Sequence, residues 1–110
     1  FPVIKKNELE FSNLLKIFIQ GRFGIVGIID EKNKLYGIVS DFDLRKLIEK
    51  GEINNPLSAV NRDFYKLNKD LSLAEAAKFL KEKRIISCFV LNDYLEIVGL
   101  ISVYDVLEII

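Results

Sequence analysis

A seven-residue pattern that occurs twice constrains the fold of this sequence more than any other feature. The first copy is Gly37-Ile38-Val39-Ser40-Asp41-Phe42-Asp43, and the second is Gly99-Leu100-Ile101-Ser102-Val103-Tyr104-Asp105. In each copy a glycine and two apolar residues precede a serine, an aspartate stands three residues after that serine, and apolar residues follow. This order predicts a strand that passes directly into a helix, with a hydroxyl and a carboxylate at the helix N-terminus.

The repetition extends over most of the chain. When Gly37 is aligned with Gly99, the apolar and basic positions on either side stay in step without a gap; aligned pairs include Leu9 with Leu71, Lys16 with Lys78, Phe18 with Leu80, Ile28 with Val90 and Leu35 with Ile97. We therefore predict a duplicated unit, with repeat 1 at residues 1–55 and repeat 2 at residues 56–110. One copy of about fifty residues would bury too small a core to be stable alone, so we expect the two copies to pack sheet to sheet.

Each repeat is predicted to run strand, helix, strand, strand, helix. The chain is therefore expected to belong to the mixed α/β class, and within it to be an α+β fold. Strands are expected at residues 2–4, 25–29 and 35–39 of repeat 1 and at residues 64–67, 87–91 and 97–101 of repeat 2. Ser72 and Glu75 have the spacing of a capping box at a helix start. Gly21 and Gly51 are expected to end helices. A last helix is expected from Tyr104 to the end of the chain.

The composition excludes several kinds of function. The 16 basic and 16 acidic residues cancel, so no general positive field attracts nucleic acid or a membrane surface. The sequence has no histidine and a single cysteine, Cys88, which we expect to be a buried thiol because it has no base to activate it. A lone cysteine fits a reducing, cytoplasmic location, and the apolar runs are too short to span a membrane. Because the chain contains no methionine, we expect it to be a piece of a longer protein.

Residues 27–45, together with the aligned residues of the second copy, resemble the CBS domain, named after cystathionine β-synthase. The whole chain resembles a tandem CBS pair, or Bateman module. Glycine, two apolar residues, serine or threonine, two variable residues and aspartate form the ligand motif of that family. The resemblance implies two pseudo-symmetric β-α-β-β-α repeats and a non-catalytic regulatory role, with neither catalytic residues nor a metal site in this chain.

Within that family, residues 40–51 resemble the pair of the D-arabinose 5-phosphate isomerases of lipopolysaccharide and capsule pathways, in which Thr-Asp-Gly-Asp-Leu-Arg-Arg is typical. Residues 81–85 and 98–101 fit the same resemblance. It implies a catalytic sugar-phosphate isomerase domain N-terminal to the pair. The pair that precedes sugar nucleotidyltransferases has a similar motif and remains an alternative.

The serine and aspartate of each motif allow two interpretations. In the structural one, Ser40 and Ser102 cap their helices, and Asp43 and Asp105 bond back to the cap and favour the helix dipole. In the functional one, which the family resemblance implies, Asp43 and Asp105 accept ribose hydroxyls and Ser40 and Ser102 contact ribose or phosphate. The ligand would be a regulatory nucleotide, AMP, ATP or a CMP-sugar, at the seam between the repeats.

Charge favours the second motif as the nucleotide site. Asp41 adds a carboxylate beside the first motif, whereas Val103 stands at the corresponding position of the second. Like charges a few ångströms apart repel by about 1 kcal/mol at a protein surface. Lys66 and Arg84 would supply positive charge for a phosphate at the second site.

The sequence departs from the family pattern at three places. Phe42 replaces the motif glycine and would fill ligand space, Tyr104 and its neighbour Val103 replace the histidines of the isomerases, and Phe89 stands where a proline is common. We expect the pair to form a homodimer, and a module that forms this dimer without binding a ligand is therefore the second hypothesis. It is favoured by large apolar residues near the helices, in excess of what a small core needs: Phe11, Phe18, Phe42, Tyr104 and Leu107.

Overall fold

The computed structural model describes residues 1–21 and 23–107, and for residues 106 and 107 it describes the backbone alone. The chain divides into two compact units, of which the first comprises Pro2–Phe64 and the second begins at Tyr65. Each unit combines helices with a small three-stranded sheet, which confirms the expected mixed α+β class. The packing of one sheet on the other and the repeat boundary at residue 55 stay predictions.

The elements of the first unit run in the predicted order, strand, helix, strand, strand, helix. They are β1 Val3–Lys5, α1 Phe11–Gln20, β2 Ile25–Ile29, β3 Leu35–Ser40 and α2 Asp41–Glu49. Strand β2 is the middle strand, parallel to β1 and antiparallel to β3. Its continuous apolar sequence fits that position, because Val26 and Ile28 are fully buried.

The second unit repeats this order. Its elements are β4 Lys66–Asn68, α3 Leu73–Lys83, β5 Ser87–Leu91, β6 Ile97–Ser102 and α4 Val103–Leu107. Strand β5 lies between β4 and β6, with the same parallel and antiparallel pairing as β2. Helix α4 begins one residue before the predicted start at Tyr104, and residues 108–110 of the predicted helix lie outside the described residues.

Each unit has an apolar core of its own, formed where the helices pack on the sheet. In the first unit Leu14 of α1 and Leu47 of α2 pack with the buried strand residues Ile4, Val26, Ile28 and Val39. In the second unit Ala76 and Leu80 of α3 pack with Leu67, Cys88 and Ile101. Helices as short as α1, α2 and α3 are marginal alone in water, so burial of this stripe is what stabilises them. Each buried leucine contributes about 1.5–3 kcal/mol.

Local signals set the helix ends. Ser72 and Glu75 form the predicted capping box, with the Glu75 N–H donating to Ser72 Oγ at 3.1 Å and the Ser72 N–H donating to the Glu75 carboxylate at 3.3 Å. After α2, Gly51 adopts a φ of +69°, which a glycine accepts without steric cost. Gly21 also follows a helix, but its φ of −93° is extended, so α1 ends without the left-handed turn.

The two units are out of step at their first strand, where the gap-free alignment is wrong. Val3 pairs with Gly27, whereas Lys66 pairs with Phe89, the residue that the alignment places on Gly27. Val3 therefore corresponds to Lys66 by strand pairing, although the gap-free alignment places Val3 on Tyr65. The additional residue of the first unit lies between β1 and α1, where the chain forms a short 3₁₀ helix at Lys6–Glu8.

A segment after α2 closes the outer edge of β3. This segment forms a 3₁₀ helix at Pro56–Ala59 and then pairs with the strand, as Ile38 and Asn61 exchange backbone hydrogen bonds of 3.0 and 2.8 Å. A Cβ on Gly37 would overlap the Val60 side chain and stand 2.8 Å from the Asn61 carbonyl oxygen. Close packing therefore requires the motif glycine in the first unit. At the corresponding Gly99, an added Cβ would approach the Val90 side chain at an ordinary 3.4 Å.

We predict that Gly37→Ala lowers the free energy of unfolding by about 1–3 kcal/mol, because the new methyl group forces Val60 and Asn61 away from β3. Gly99→Ala is the matched control and should cost less than about 1 kcal/mol, since its surroundings leave room for the methyl group. Urea denaturation of both variants and the parent measures the difference. Equal losses at the two positions would contradict the assigned packing.

Candidate functional site

At the junction of β3 and α2, Ser40 and Asp43 are joined by three hydrogen bonds. The N–H and the hydroxyl of Ser40 both donate to Asp43 Oδ2, at 2.9 and 2.8 Å, and the Asp43 N–H donates to Ser40 Oγ at 3.1 Å. This is a capping box with aspartate in the third helical position. The described hydrogen bonds of Asp43 use Oδ2 and leave Oδ1 unoccupied.

The junction of β6 and α4 has two of these three hydrogen bonds. The N–H of Ser102 donates to Asp105 Oδ2 at 2.8 Å, and its hydroxyl donates to the same oxygen at 3.1 Å. Ser102 is 1% exposed, whereas Asp105 is exposed to solvent. The second oxygen of Asp105 therefore has room to accept hydrogen bonds from a ligand while the first holds the cap.

A further tie, which the sequence pattern does not reveal, fixes each junction to the neighbouring strand. The N–H of Asp41 donates to the Gly24 carbonyl oxygen at 3.0 Å, and the N–H of Val103 donates to the Ile86 carbonyl oxygen at 2.8 Å. Gly24 and Ile86 directly precede β2 and β5, so the first turn of each helix is anchored across the sheet. Backbone atoms supply this tie, and residue types alone carry no signal for it.

The two junctions differ in what they leave for a ligand. In the first, Asp41 Oδ1 accepts the N–H of Phe42 at 2.9 Å, so the first three N–H groups of α2 all have acceptors within the chain. Val103 has no side-chain acceptor to offer Tyr104 in this way. Ile86, which is 55% exposed, supplies an apolar surface at the second junction, and Gly24 supplies no side chain at the first.

The remaining predicted site residues do not all lie together. Ser102, Val103 and Asp105 share the first turn of α4 and the strand end before it. Exposed Lys66 lies on β4, which is separated from β6 by β5, so two strand spacings of about 10 Å in all divide their backbones. Lys66 would thus meet a different part of a ligand from Asp105. Arg84 ends α3 in a left-handed conformation, φ +55°, two residues before Ile86.

Within the first unit, Asp43 borders a small cavity between α2 and the 3₁₀ helix Pro56–Ala59. Its volume is about 160 Å³, and Lys46, Lys50, Glu52 and Ser58 also line it. Pockets that hold drug-sized ligands usually measure about 300–1,000 Å³. Phe42, the residue expected to fill ligand space, is 54% exposed, and Lys46 Nζ lies 4.9 Å from the centroid of its ring.

The sequence profile of the CBS domain matches residues 1–50 and 57–110. The chain belongs to the CBS domain family. As a CBS pair it has two matched regions, each of which contains one Ser–Asp junction.

Curated relatives of this CBS pair include two isomerases. The sequence is 31% identical over 97 residues to a protein of Haemophilus influenzae described as a probable arabinose 5-phosphate isomerase, a match that covers 84% of this chain and 28% of the relative. It is 27% identical over 101 residues to the arabinose 5-phosphate isomerase KpsF of Escherichia coli, which covers 89% of this chain and 31% of the relative. The chain thus spans less than a third of these relatives.

Solved CBS pairs share the fold. The CBS domain pair of protein MJ0100, in complex with 5′-methylthioadenosine and S-adenosyl-L-methionine, superposes with a TM-score of 0.83 at 21% identity and covers 99% of this chain and 87% of that one. CBSX2 in complex with AMP gives a TM-score of 0.80 at 18% identity, covering 97% of this chain and 84% of that one.

Within the described residues of this CBS pair, side chains do not assemble a metal site, and no helix is both long and apolar enough to cross a membrane. Cys88 is buried, as expected, and its Sγ–H donates to the Phe89 carbonyl oxygen at 3.5 Å. Burial raises the pKa of the Cys88 thiol to about 12. Because the thiolate is the reactive form, this environment makes Cys88 inert at neutral pH.

We predict that Cys88 of the folded CBS pair reacts slowly with a disulfide thiol reagent at neutral pH and rapidly in urea, where exposure restores the ordinary pKa. The raised pKa of Cys88 also determines how this thiol affects the pH dependence of stability. Because the folded pKa is raised, the protonated thiol stabilises the fold fully below the unfolded pKa, and this contribution is lost as the pH rises toward the folded value. Absorbance of the released thiolate measures both rates; equal rates with and without urea would contradict the burial of Cys88.

Proposed function

We propose that this CBS pair is a regulatory module that binds an adenosine ligand at the Ser102–Asp105 junction. Asp105 is exposed and uses one carboxylate oxygen for the helix cap, and this observation supports the proposal most strongly because it leaves the second oxygen for a ligand. Vicinal ribose hydroxyls are donors that suit such an oxygen. Exposed Ile86 offers an apolar surface for the base, and Ser102 and Val103 complete the turn around it.

The ligands of solved relatives support this ligand class. Two CBS pairs of the same fold were crystallised with 5′-methylthioadenosine and S-adenosyl-L-methionine and with AMP. The cytosolic domain of the Mg²⁺ channel MgtE, with a TM-score of 0.79, was solved in complex with ATP. All of these ligands carry an adenosine group, so AMP and ATP are the first candidates for this chain. A CMP-sugar is the alternative that a sugar-phosphate pathway would favour.

The Ser40–Asp43 junction is proposed to remain without a nucleotide. Its helix N–H groups have acceptors within the chain, and Asp41 places a second carboxylate beside Asp43. A phosphate approaching the first turn of α2 meets the carboxylates of Asp41 and Asp43 and gains no free donor from that turn, although Lys46 and Lys50 line the cavity beside Asp43. The cavity beside Asp43 is also smaller than a nucleotide requires.

The parent protein is proposed to be a cytoplasmic D-arabinose 5-phosphate isomerase whose catalytic domain precedes this pair. The two isomerase relatives support this context, since the matched region is less than a third of each. Lys66 would contribute charge for the ligand phosphate in such a protein. Ligand binding to the pair would then alter how the catalytic domain packs, which is the means of regulation that we propose.

A module that binds nothing and forms a homodimer is the second candidate, and exposed aromatic side chains favour it. Phe42 is exposed on α2 and Tyr104 is 61% exposed on α4. Phe11 and Phe18 of α1 are half-buried, and the side chain of Leu107 lies outside the described residues. Aromatic residues left in water on helices are typical of protein interfaces.

We predict that Asp105→Ala weakens AMP binding at least tenfold, because it removes a charged acceptor of ribose hydroxyls. Asp43→Ala is the matched control, because it removes the corresponding carboxylate from the first junction, and it should leave AMP affinity unchanged. Titration calorimetry of the parent and both variants gives the affinities.

Equal loss of affinity in the two variants would contradict the choice of junction. Absence of stabilisation by AMP, ATP or a CMP-sugar in a thermal-shift panel, together with a stable dimer in sedimentation, would reject the nucleotide site and favour the second candidate.

A further inference from the structure

Lys6, Tyr36 and Arg62 come together on the surface of the first unit although they are far apart in sequence. Lys6 Nζ lies 4.1 Å from the centroid of the Tyr36 ring, and Arg62 Cζ lies 3.6 Å from it. Both cationic side chains are exposed, and Tyr36 is half-buried. These three residues are called the Lys6 cluster below.

Salt bridges among the described residues do not balance the positive charge of the Lys6 cluster. The ion pairs among the described residues are Lys69 with Asp70 and Lys78 with Glu82, and neither pair includes Lys6 or Arg62. Two charges that lie about 4 Å from one ring centroid are within about 8 Å of each other, which is no more than the screening length at physiological salt. Their repulsion is a cost that a bound anion would relieve.

The phenol of Tyr36 responds to this charge. Partial burial would by itself raise the pKa of Tyr36, but the interactions with Lys6 and the charge of Arg62 outweigh burial and lower it. A lowered pKa means that negative charge is favoured at this position. The phenol O–H is at the same time a hydrogen-bond donor to an anion at neutral pH.

A cavity lined by polar and charged residues begins at Lys6. It has a volume of about 650 Å³ and is lined by Lys5, Lys6, Asn7, Asp30, Glu31 and Asn33. Asp30 Oδ1 accepts the N–H groups of Lys32 and Lys34, at 2.9 and 3.0 Å, which leaves Oδ2 for other donors. Carboxylates and amides in one cavity are suited to hydroxyl groups, which both donate and accept. Its volume lies within the range of ligand pockets.

We propose that the first unit binds a phosphorylated polyol, with its phosphate at the Lys6 cluster and its hydroxyl groups in the cavity beside Asp30, Glu31 and Asn33. Lys6 belongs to both parts and joins them. Arg62 provides a planar guanidinium for the phosphate oxygens. The acidic side of the cavity repels phosphate and accepts hydroxyls, so it sets the direction of the ligand. This site does not depend on a nucleotide at the Ser102–Asp105 junction.

The described residues of the second unit do not repeat this arrangement. Val98 stands where the first unit has Tyr36, and Lys69, which corresponds to Lys6 by strand register, pairs with Asp70 at 3.1 Å. Hydrogen bonding to Asp70 raises the pKa of Lys69, as expected for a balanced cation. The unbalanced cluster is therefore a feature of the first unit, and Lys69 offers a matched control.

The test is titration calorimetry of the whole chain with ribose 5-phosphate, inorganic phosphate and ribose as probes. We expect ribose 5-phosphate to bind more tightly than phosphate, ribose not to bind detectably, and added salt to weaken binding because the cluster is exposed. Arg62→Gln and Lys6→Gln should each weaken ribose 5-phosphate binding about fivefold or more. Both residues are exposed, so the variants should fold.

Lys69→Gln should leave the affinity for ribose 5-phosphate unchanged, because Lys69 lies in the second unit and is already balanced by Asp70. Unchanged affinity in Arg62→Gln, or absence of binding by the parent, would overturn the proposal. Equal affinities for ribose 5-phosphate and inorganic phosphate would overturn the role of the cavity, and ribose binding as tightly as ribose 5-phosphate would overturn the role of the cluster.

Discussion

The serine–aspartate bond at each strand-to-helix junction is the interaction on which the rest of the structure depends. One carboxylate oxygen accepts two hydrogen bonds from the serine, and this cap favours the end of the strand at the serine and the start of the helix at the next residue. The tie from the first helical N–H to Gly24 or Ile86 then anchors that helix to the neighbouring strand. The cap uses only one oxygen of each aspartate. The other carboxylate oxygen is left to accept hydrogen bonds from a ligand.

Duplication gives both halves the same junction, and small differences then separate their roles. Asp41 accepts the N–H of Phe42 and adds negative charge to the first junction, while the corresponding Val103 does neither. The edge of β3 is closed by Val60 and Asn61, which makes Gly37 indispensable there. In the first unit, Lys6 and Arg62 also bring two exposed positive charges together beside the Tyr36 ring. The two halves thus share a backbone plan, and we propose that they bind different ligands.

The order of strands and helices, the capping box at Ser72 and the burial of Cys88 could be predicted from sequence, because each rests on local spacing or on apolar runs. The displacement of the first strand could not be predicted. One additional residue in the short loop between β1 and α1 does not disturb the alignment of the residues that follow it. The closure of β3 by Asn61 and the meeting of Lys6, Tyr36 and Arg62 were also missed. These contacts join residues distant in the chain, and only the folded backbone brings them together.

The two junctions are alike in backbone structure, but we propose that only the Ser102–Asp105 junction binds AMP. Amide chemical shifts of the ¹⁵N-labelled chain during an AMP titration test this most directly. We expect saturable changes in the amide shifts of Ile86, Ser102, Val103 and Asp105. The amide shifts of Ser40, Asp41 and Asp43 should not change. Similar shifts at both junctions, or shifts confined to Ser40 and Asp43, would contradict this proposal.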